Sequence, residues 1–252
     1  MGAPPFKGVR LRRFILDPEC FEESAVNLTG AVAKHVRNVL RLKTGDKVLV
    51  TDGHTRKFVC CISSINKSSV QAEIVEKLET AEDPLPFVTL AQAIPKGRKM
   101  DTIVRMACEI GAERIVPVVA ERCVIKLNKD SQAKKMERWR EISVSAAQQS
   151  GSDCPALIVN PVGIEDLPDL VPSDHSIALW ENETRSLKSA LSGLDSKRSL
   201  LLLAGPEGGF TDNEVEKLKS SGFVTASLGS QILRTETAGI AALSALFYHF
   251  SN

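Results

Sequence analysis

Nowhere do the 252 residues approach the roughly 20 consecutive apolar positions that a membrane-spanning helix needs, which excludes a spanning protein. The chain also has almost no net charge. Thirty-two Lys and Arg face 31 Asp and Glu, a formal +1, so it lacks the overall basic excess that marks many polyanion-binding proteins. Any polyanion site has to be a local patch. The six cysteines, Cys20, Cys60, Cys61, Cys108, Cys123 and Cys154, contain no C-x-x-C and no pairing rhythm, and no histidine lies at ligand spacing from the adjacent Cys60 and Cys61. Reduced thiols in an intracellular compartment are expected, with no bound metal. Neither G-x-G-x-x-G nor a glycine loop ending in Gly-Lys-Ser/Thr is present. His35 and His54 read as structural or surface histidines, and His175 and His249 show no partner spacing from which a Ser-His-Asp arrangement can be built. There is no internal repeat and no low-complexity segment. What remains, 43% apolar and 25% charged residues, is the composition of an ordinary globular protein, long enough for two unequal domains.

Splitting the charge by region shows what the total hides. Residues 1–80 hold 13 Lys and Arg against nine Asp and Glu, a net +4, which leaves −3 for residues 81–252. Four basic residues, Lys7, Arg10, Arg12 and Arg13, precede the first acid, Asp17. Short β-type runs at 48–50, 58–62 and 69–75, separated by Gly45-Asp46 and Asp52-Gly53, follow a helical piece at 31–40. This pattern predicts a small β-barrel or twisted sheet over residues 1–80, then a proline-stiffened linker at 81–86. From residue 87 to 252 apolar strand-like runs alternate with helical segments, the signature of an α/β domain with a parallel sheet. Met100, Ile103, Val104, Ala107 and Ile110 form one apolar helical stripe stopped by Gly111, and Thr211-Asp-Asn-Glu214 has the form of a capping box.

Two segments could carry chemistry. Leu200-Leu-Leu-Leu-Ala204 runs into Gly205-Pro-Glu-Gly-Gly209 and then the capped helix, a strand-turn-helix passage that leaves backbone N–H groups bare at a sheet's carboxyl edge. Leu228-Gly-Ser-Gln-Ile-Leu-Arg-Thr-Glu-Thr-Ala238 is a second passage of the same kind, with Arg234 set against the preference of the helix dipole and Glu236 in line with it.

These two motifs closely resemble the signature of the ribosomal small-subunit RNA uridine-N3-methyltransferases of the SPOUT superfamily. His35 with Val39-Leu-Arg41, Lys96-Gly-x-x-Met100-Asp101, Glu109-Ile-Gly111 and Glu121-Arg-Cys123 agree in order, so the resemblance covers nearly the whole chain. It implies a PUA-like RNA-binding β-barrel followed by an α/β domain whose last segment threads a trefoil knot, a topology that general rules of chain connection would not suggest. It also implies S-adenosylmethionine as methyl donor, ribosomal RNA or the small ribosomal subunit as partner, and a homodimer. The cofactor residues it implies are Trp180 and Glu181, then Ala204, Gly205, Pro206, Gly208 and Gly209, then Leu228, Gly229, Ile232, Leu233 and Arg234. The sequence departs from the family at Gln231, where Arg is usual, and at Gly151-Ser-Asp-Cys154, which is shortened and lacks an arginine.

Methylating uracil N3 requires loss of the imide proton and in-line attack on the sulfonium methyl. Arg234 is the candidate for stabilising charge on uracil O2 or O4. Glu236 and Glu207 are candidates for orienting the base or accepting the proton. Arg10, Arg12, Arg13, Lys34, Arg37, Arg41 and Lys43, all in the region of positive excess, are the candidates for RNA phosphate contacts. Two other readings stay open: a catalytically silent RNA-binding assembly factor, and a knotted methyltransferase with a different RNA target. The expected location is the cytoplasm, or an organelle with its own ribosomes.

Overall fold

A computed structural model of the chain describes residues 11–52, 56–78, 86–123, 129–152, 154–195 and 198–251. Arg10, His54 and residues 81–85 of the expected linker lie outside them. The chain divides into two compact units, Met1–Glu82 with Gly151–Cys154, and Asp83–Ser150 with Pro155–Asn252.

The first unit is built on one five-stranded sheet. Strands β1 (Arg12–Ile15) and β2 (Ala25–Thr29) precede a short helix α1 (Gly30–Lys34), which continues as a π-helical turn over His35–Val39. Strands β3 (Lys47–Thr51), β4 (Lys57–Ile65) and β5 (Ser69–Lys77) complete the order β1-β3-β4-β5-β2. Only the β1 and β3 pair is parallel; the other three pairs are antiparallel. Alternate residues face inward, as a strand's period of two requires: Val26 and Leu28, Val48 and Val50, Cys60 and Ile62, Val70 and Ala72 are all buried together. Asp46 closes the turn before β3 by accepting from the Lys43 amide at 2.7 Å, and Gly45 supplies the positive φ of 95° that the turn needs. None of the six cysteines is in a disulfide, and burial pushes the Cys60 thiol up to about 12, so it stays an inert, protonated core group.

The second unit is a parallel seven-stranded sheet with helices on both faces. In chain order its elements are β6 (Val88–Ala93), α2 (Lys99–Ile110), β7 (Arg114–Val119), α3 (Lys129–Ser150), β8 (Leu157–Ile158), β9 (Val162–Gly163), α4 (Leu167–Leu170), β10 (His175–Leu179), α5 (Leu187–Leu191), β11 (Leu200–Ala204), α6 (Asp212–Ser220), β12 (Val224–Ala226) and α7 (Thr235–Phe250). The strand order is β12-β10-β11-β6-β7-β8, with β9 also paired to β7. Every residue of β6 and β11 is buried, which is why β11 reads as an unbroken apolar run and β6, Gln92 apart, as a small and apolar one. Leu200, Leu202 and Ala204 join Val88 and Leu90 in the core shared with α2, α3, α5 and α7. Leu201 and Leu203 join Ala91 and Ala93 in the opposite core, shared with α4 and α6.

Helix boundaries follow local chemistry. Gly111 ends α2 in the left-handed region, φ 120°, and donates its N–H to the Ala107 carbonyl. Helix α6 starts at a complete capping box between Thr211 and Glu214, and the second Glu214 oxygen accepts from the Glu121 amide at 2.8 Å. Asp101 in α2 accepts from Arg138 and from the Trp139 indole of α3, which ties the two helices together.

Helix α2, which carries the stripe from Met100 to Ile110, begins at Lys99, since Gly97 takes φ 73°. Helix α5 begins only at Leu187, because the Glu183 carboxylate accepts from the Thr184 and Arg185 amides and holds that stretch as a loop. Strands β1 and β2, and the short elements β8, β9 and α4, were not foreshadowed by periodicity; each is five residues or fewer. Among the described residues no helix is long and apolar enough to cross a membrane.

Candidate active site

The carboxyl ends of β10, β11 and β12 open into a cavity of about 410 Å³. This is where an open parallel sheet binds ligands, because the connecting loops diverge there and leave main-chain groups uncovered. Three loops wall it: residues 179–181 after β10, residues 205–210 after β11 and residues 226–235 between β12 and α7. Leu179, Pro206, Phe210, Leu228 and Leu233 supply an apolar lining, and the Glu181 and Glu207 side chains add negative charge. Gly209 has φ 66°, and a Cβ built on it would lie 2.4 Å from Glu181 Oε1, so the carboxylate occupies the space that the missing side chain leaves. From Ser230 to Leu233 the main chain makes no backbone-to-backbone hydrogen bond among the described residues, and Ile232 is 84% exposed. Ordered but unpaired amides and carbonyls over an apolar floor fit a small ligand with both polar and apolar parts.

At the rim, Lys99 Nζ lies 3.1 Å from Glu207 Oε1 and 3.1 Å from Glu236 Oε2. The Lys96 amide donates to the same Glu207 oxygen at 3.1 Å. The α2 start, the glycine loop and the first turn of α7 thus meet in one charge cluster. Burial pushes the Glu207 carboxyl up, but its own amide, Lys99 and the Lys96 amide together hold it below the usual carboxylate range. Glu236 is also lowered, first by its own backbone amide and then, against the opposing effect of burial, by Lys99. The hydrogen bonds that it donates to Glu207 and Glu236 push the Lys99 ammonium up. Both carboxylates are therefore ionised at neutral pH.

Ten of the twelve residues expected to hold the cofactor line the cavity: Trp180, Glu181, Gly205, Pro206, Gly209, Leu228, Gly229, Ile232, Leu233 and Arg234. Ala204 and Gly208 do not. Ala204 is the fully buried last residue of β11, and the Gly208 carbonyl instead accepts from Arg122 Nη1 at 2.7 Å. Arg234 occupies the N-cap position of α7, and its carbonyl accepts from the Thr237 and Ala238 amides. The residue is exposed, lines the cavity, and its guanidinium forms no hydrogen bond or ion pair among the described residues. Lys99 was not anticipated, although the motif from Lys96 to Asp101 spans it. Gln92 and Thr235 were missed too, because a single Gln in an apolar strand and a Thr beginning a helix give no periodic signal. Among the described residues no group of three or more His, Cys, Asp or Glu could hold a metal ion.

In the first unit, Arg12, Lys34, Arg41 and Lys43 are exposed. Arg41 alone among described non-glycine residues has a positive φ, 52°. Arg37 is engaged internally: its guanidinium donates to Asn38 Oδ1 at 3.0 Å, to the Asn66 carbonyl at 3.2 Å and to the Lys67 carbonyl. Arg13 is half-buried in β1.

A doubly covered parallel sheet with a glycine-walled cavity at its carboxyl edge defines a small-molecule-binding α/β domain. Comparison with known proteins makes the assignment specific. Residues 81–247 match the family model of the RNA methyltransferase domain, and residues 28–75 match that of the RNA methyltransferase PUA domain. The chain is 33% identical to ribosomal RNA small subunit methyltransferase E of Bacillus subtilis over 90% of this chain and 91% of that protein. It is 35% identical to the protein of the same name from Synechocystis, over 92% and 76%. The crystal structure of ribosomal RNA small subunit methyltransferase E from Neisseria gonorrhoeae bound to S-adenosyl methionine superposes with a TM-score of 0.84 at 30% identity, covering 95% of this chain and 98% of that one. A Legionella pneumophila protein in complex with the bound cofactor SAM gives 0.86 at 31%, over 96% and 98%. The chain belongs to the RNA methyltransferase family, alongside the ribosomal RNA small subunit methyltransferase E proteins.

Proposed function

We propose that this protein transfers a methyl group from S-adenosylmethionine to N3 of a uridine in small-subunit ribosomal RNA. The observation that carries the reading is the cavity at the carboxyl ends of β10, β11 and β12, walled by the two motif loops and rimmed by a free arginine. Its residues fit the donor: main-chain groups of residues 205–207, Gly209 and residues 228–233 would hold it, with the apolar side chains of Leu228 and Leu233 against its less polar parts. When bound, it supplies an electrophilic methyl on a sulfonium.

The rest of the chemistry belongs to this chain. As N3 loses its proton, negative charge grows on uracil O2 and O4, and the Arg234 guanidinium is placed to stabilise it. Glu207 and Glu236, held ionised by Lys99, are poor abstracting bases because their proton affinity is low. In this reading they fix the rim and orient Lys99, and the proton leaves to water or to a group brought by the RNA. The first unit holds the RNA as a PUA-like barrel through Arg12, Lys34, Arg41 and Lys43, over residues 1–80, with 87–252 as the catalytic domain.

The trefoil knot belongs to the same reading. Strand β12 lies at the sheet edge, yet α7, which follows it, packs back over the sheet with Gly239 against Leu90, Gln92 and Ala204, a return path that supports this reading. A homodimer is also part of it, supported by the apolar character of α7, where Tyr248 is 75% exposed. Mass spectrometry of nucleosides from ribosomal RNA tests the central statement: loss of 3-methyluridine on deletion supports it, and loss of a ribose methylation instead would refute it.

A further inference from the structure

Gln92 is a fully buried amide in a strand that is otherwise small and apolar, and its place calls for an explanation. It pairs in register with Ala204, the last residue of β11. Its Nε2 group donates to the Thr235 hydroxyl at 3.0 Å and to the Ala93 carbonyl at 3.0 Å, with a longer contact of 3.4 Å to the Gly205 carbonyl. The Thr235 hydroxyl in turn donates to the Gly205 carbonyl at 2.5 Å. That single hydroxyl proton is committed, so Thr235 can only accept from Gln92. Reversing the amide would set its oxygen against two acceptors, Thr235 Oγ1 and the Ala93 carbonyl, so the hydrogen-bond network fixes the orientation.

This orientation leaves Gln92 Oε1 buried with no donor. An unsatisfied buried acceptor is destabilising, and an apolar side chain of the same length would suit the core better. Gly239 makes the room: a Cβ there would lie 3.0 Å from Oε1. What the amide does is join three chain segments behind the cavity wall. Gly205 begins the loop after β11, Thr235 ends the loop after β12, and Gln92 sits on β6, the neighbour of β11.

We propose that Gln92 is a positioning residue: through Thr235 and the Gly205 carbonyl it fixes the spacing of two of the three loops that wall the cavity, those after β11 and β12, and so sets affinity for the methyl donor. Gln92 itself does not line the cavity, so it acts through main-chain atoms that do. The inference rests on the reading of the cavity as a S-adenosylmethionine site.

Calorimetric titration of the full-length protein with S-adenosylmethionine tests it, using Gln92→Met, Thr235→Val and the double variant. Each single variant is expected to weaken binding at least tenfold, and the double variant to be no weaker than the poorer single one, because both break one chain of hydrogen bonds. For Gln92→Met the loss should appear in KM for the donor, with kcat at saturation within about threefold. In the ligand-free protein, amide hydrogen exchange at residues 205–209 and 230–233 should quicken while the rest of β11 stays protected. Binding within twofold of wild type, or exchange that quickens uniformly through a less stable fold rather than at these loops, would overturn the proposal. If the wild-type protein itself fails to bind, the site reading falls, while unchanged loop exchange in Gln92→Met would separately refute the positioning role.

Discussion

The ammonium of Lys99 lies 3.1 Å from Glu207 Oε1, so the first residue of α2 is fastened to the glycine loop that follows β11. The same ammonium reaches Glu236 on α7, and one cation thereby serves two carboxylates. The sign of each shift agrees: Glu207 and Glu236 sit low and Lys99 sits high. A lowered carboxylate contributes stability above its unfolded value of 4.5 and loses it as pH falls; a raised lysine contributes below 10.5 and loses it as pH climbs through its folded value. The cluster is whole between those limits.

Methyl transfer should therefore show no acid limb from these carboxylates between pH 5 and 7. Replacing Lys99 by Met removes one of the groups that hold them low, and their titration should move upward. The pH dependence of kcat, measured for both proteins, checks this; Lys99 is too exposed for its loss to unfold the chain. An unchanged profile in Lys99→Met would mean the pairing is unimportant.

Arg234→Ala should lower turnover by about 10²–10³, the scale seen when a donor aimed at developing charge is lost. Donor affinity should stay within a few-fold, since the guanidinium is assigned to the base rather than to the cofactor. Single-turnover rates alongside calorimetry separate the two effects.

Gly209→Ala places a side chain where φ is 66° and where Glu181 already stands. The left-handed backbone alone costs about 1 kcal/mol for a residue with a Cβ. The displaced carboxylate should reshape the cavity, and donor affinity should fall more than thermal stability does. Denaturant unfolding and calorimetry give the comparison.

Neutralising Arg12, Lys34, Arg41 and Lys43 together should weaken binding to ribosomal RNA and flatten its salt dependence by roughly 0.7–0.9 per lost phosphate contact on a log–log plot. Arg37→Ala should behave differently, reducing stability of the first unit, because its guanidinium is spent on the Asn66 and Lys67 carbonyls.

Glu183 offers an acid test of the loop after β10. The Thr225 hydroxyl and the Arg185 and Thr184 amides hold its carboxyl down to about 2, against the opposing effect of burial. Its contribution is complete above 4.5 and is lost as pH falls toward 2. The difference in melting temperature between wild type and Glu183→Gln should shrink over that interval.

Much of the second unit was legible in the sequence because its signals are long and periodic. The stripe from Met100 to Ile110, the unbroken run of β11 and the Thr211 box each realise as expected. Strands β8 and β9, two residues apiece, carry no period to read. In the site, the glycine and arginine motifs marked the cavity wall, since turns and exposed charge leave a local trace in sequence. The contacts joining Lys99 to Glu236 and Gln92 to Thr235 left none. They join residues 137 and 143 positions apart, and only the packing of α7 over β6 and α2 brings them together.

The account's central claim is base methylation of small-subunit ribosomal RNA, and nucleoside mass spectrometry of that RNA tests it most directly. RNA from cells lacking the protein should have lost 3-methyluridine, which the wild-type chain restores and Arg234→Ala does not. Undiminished 3-methyluridine in those cells, or restoration by Arg234→Ala at the wild-type level, would contradict it.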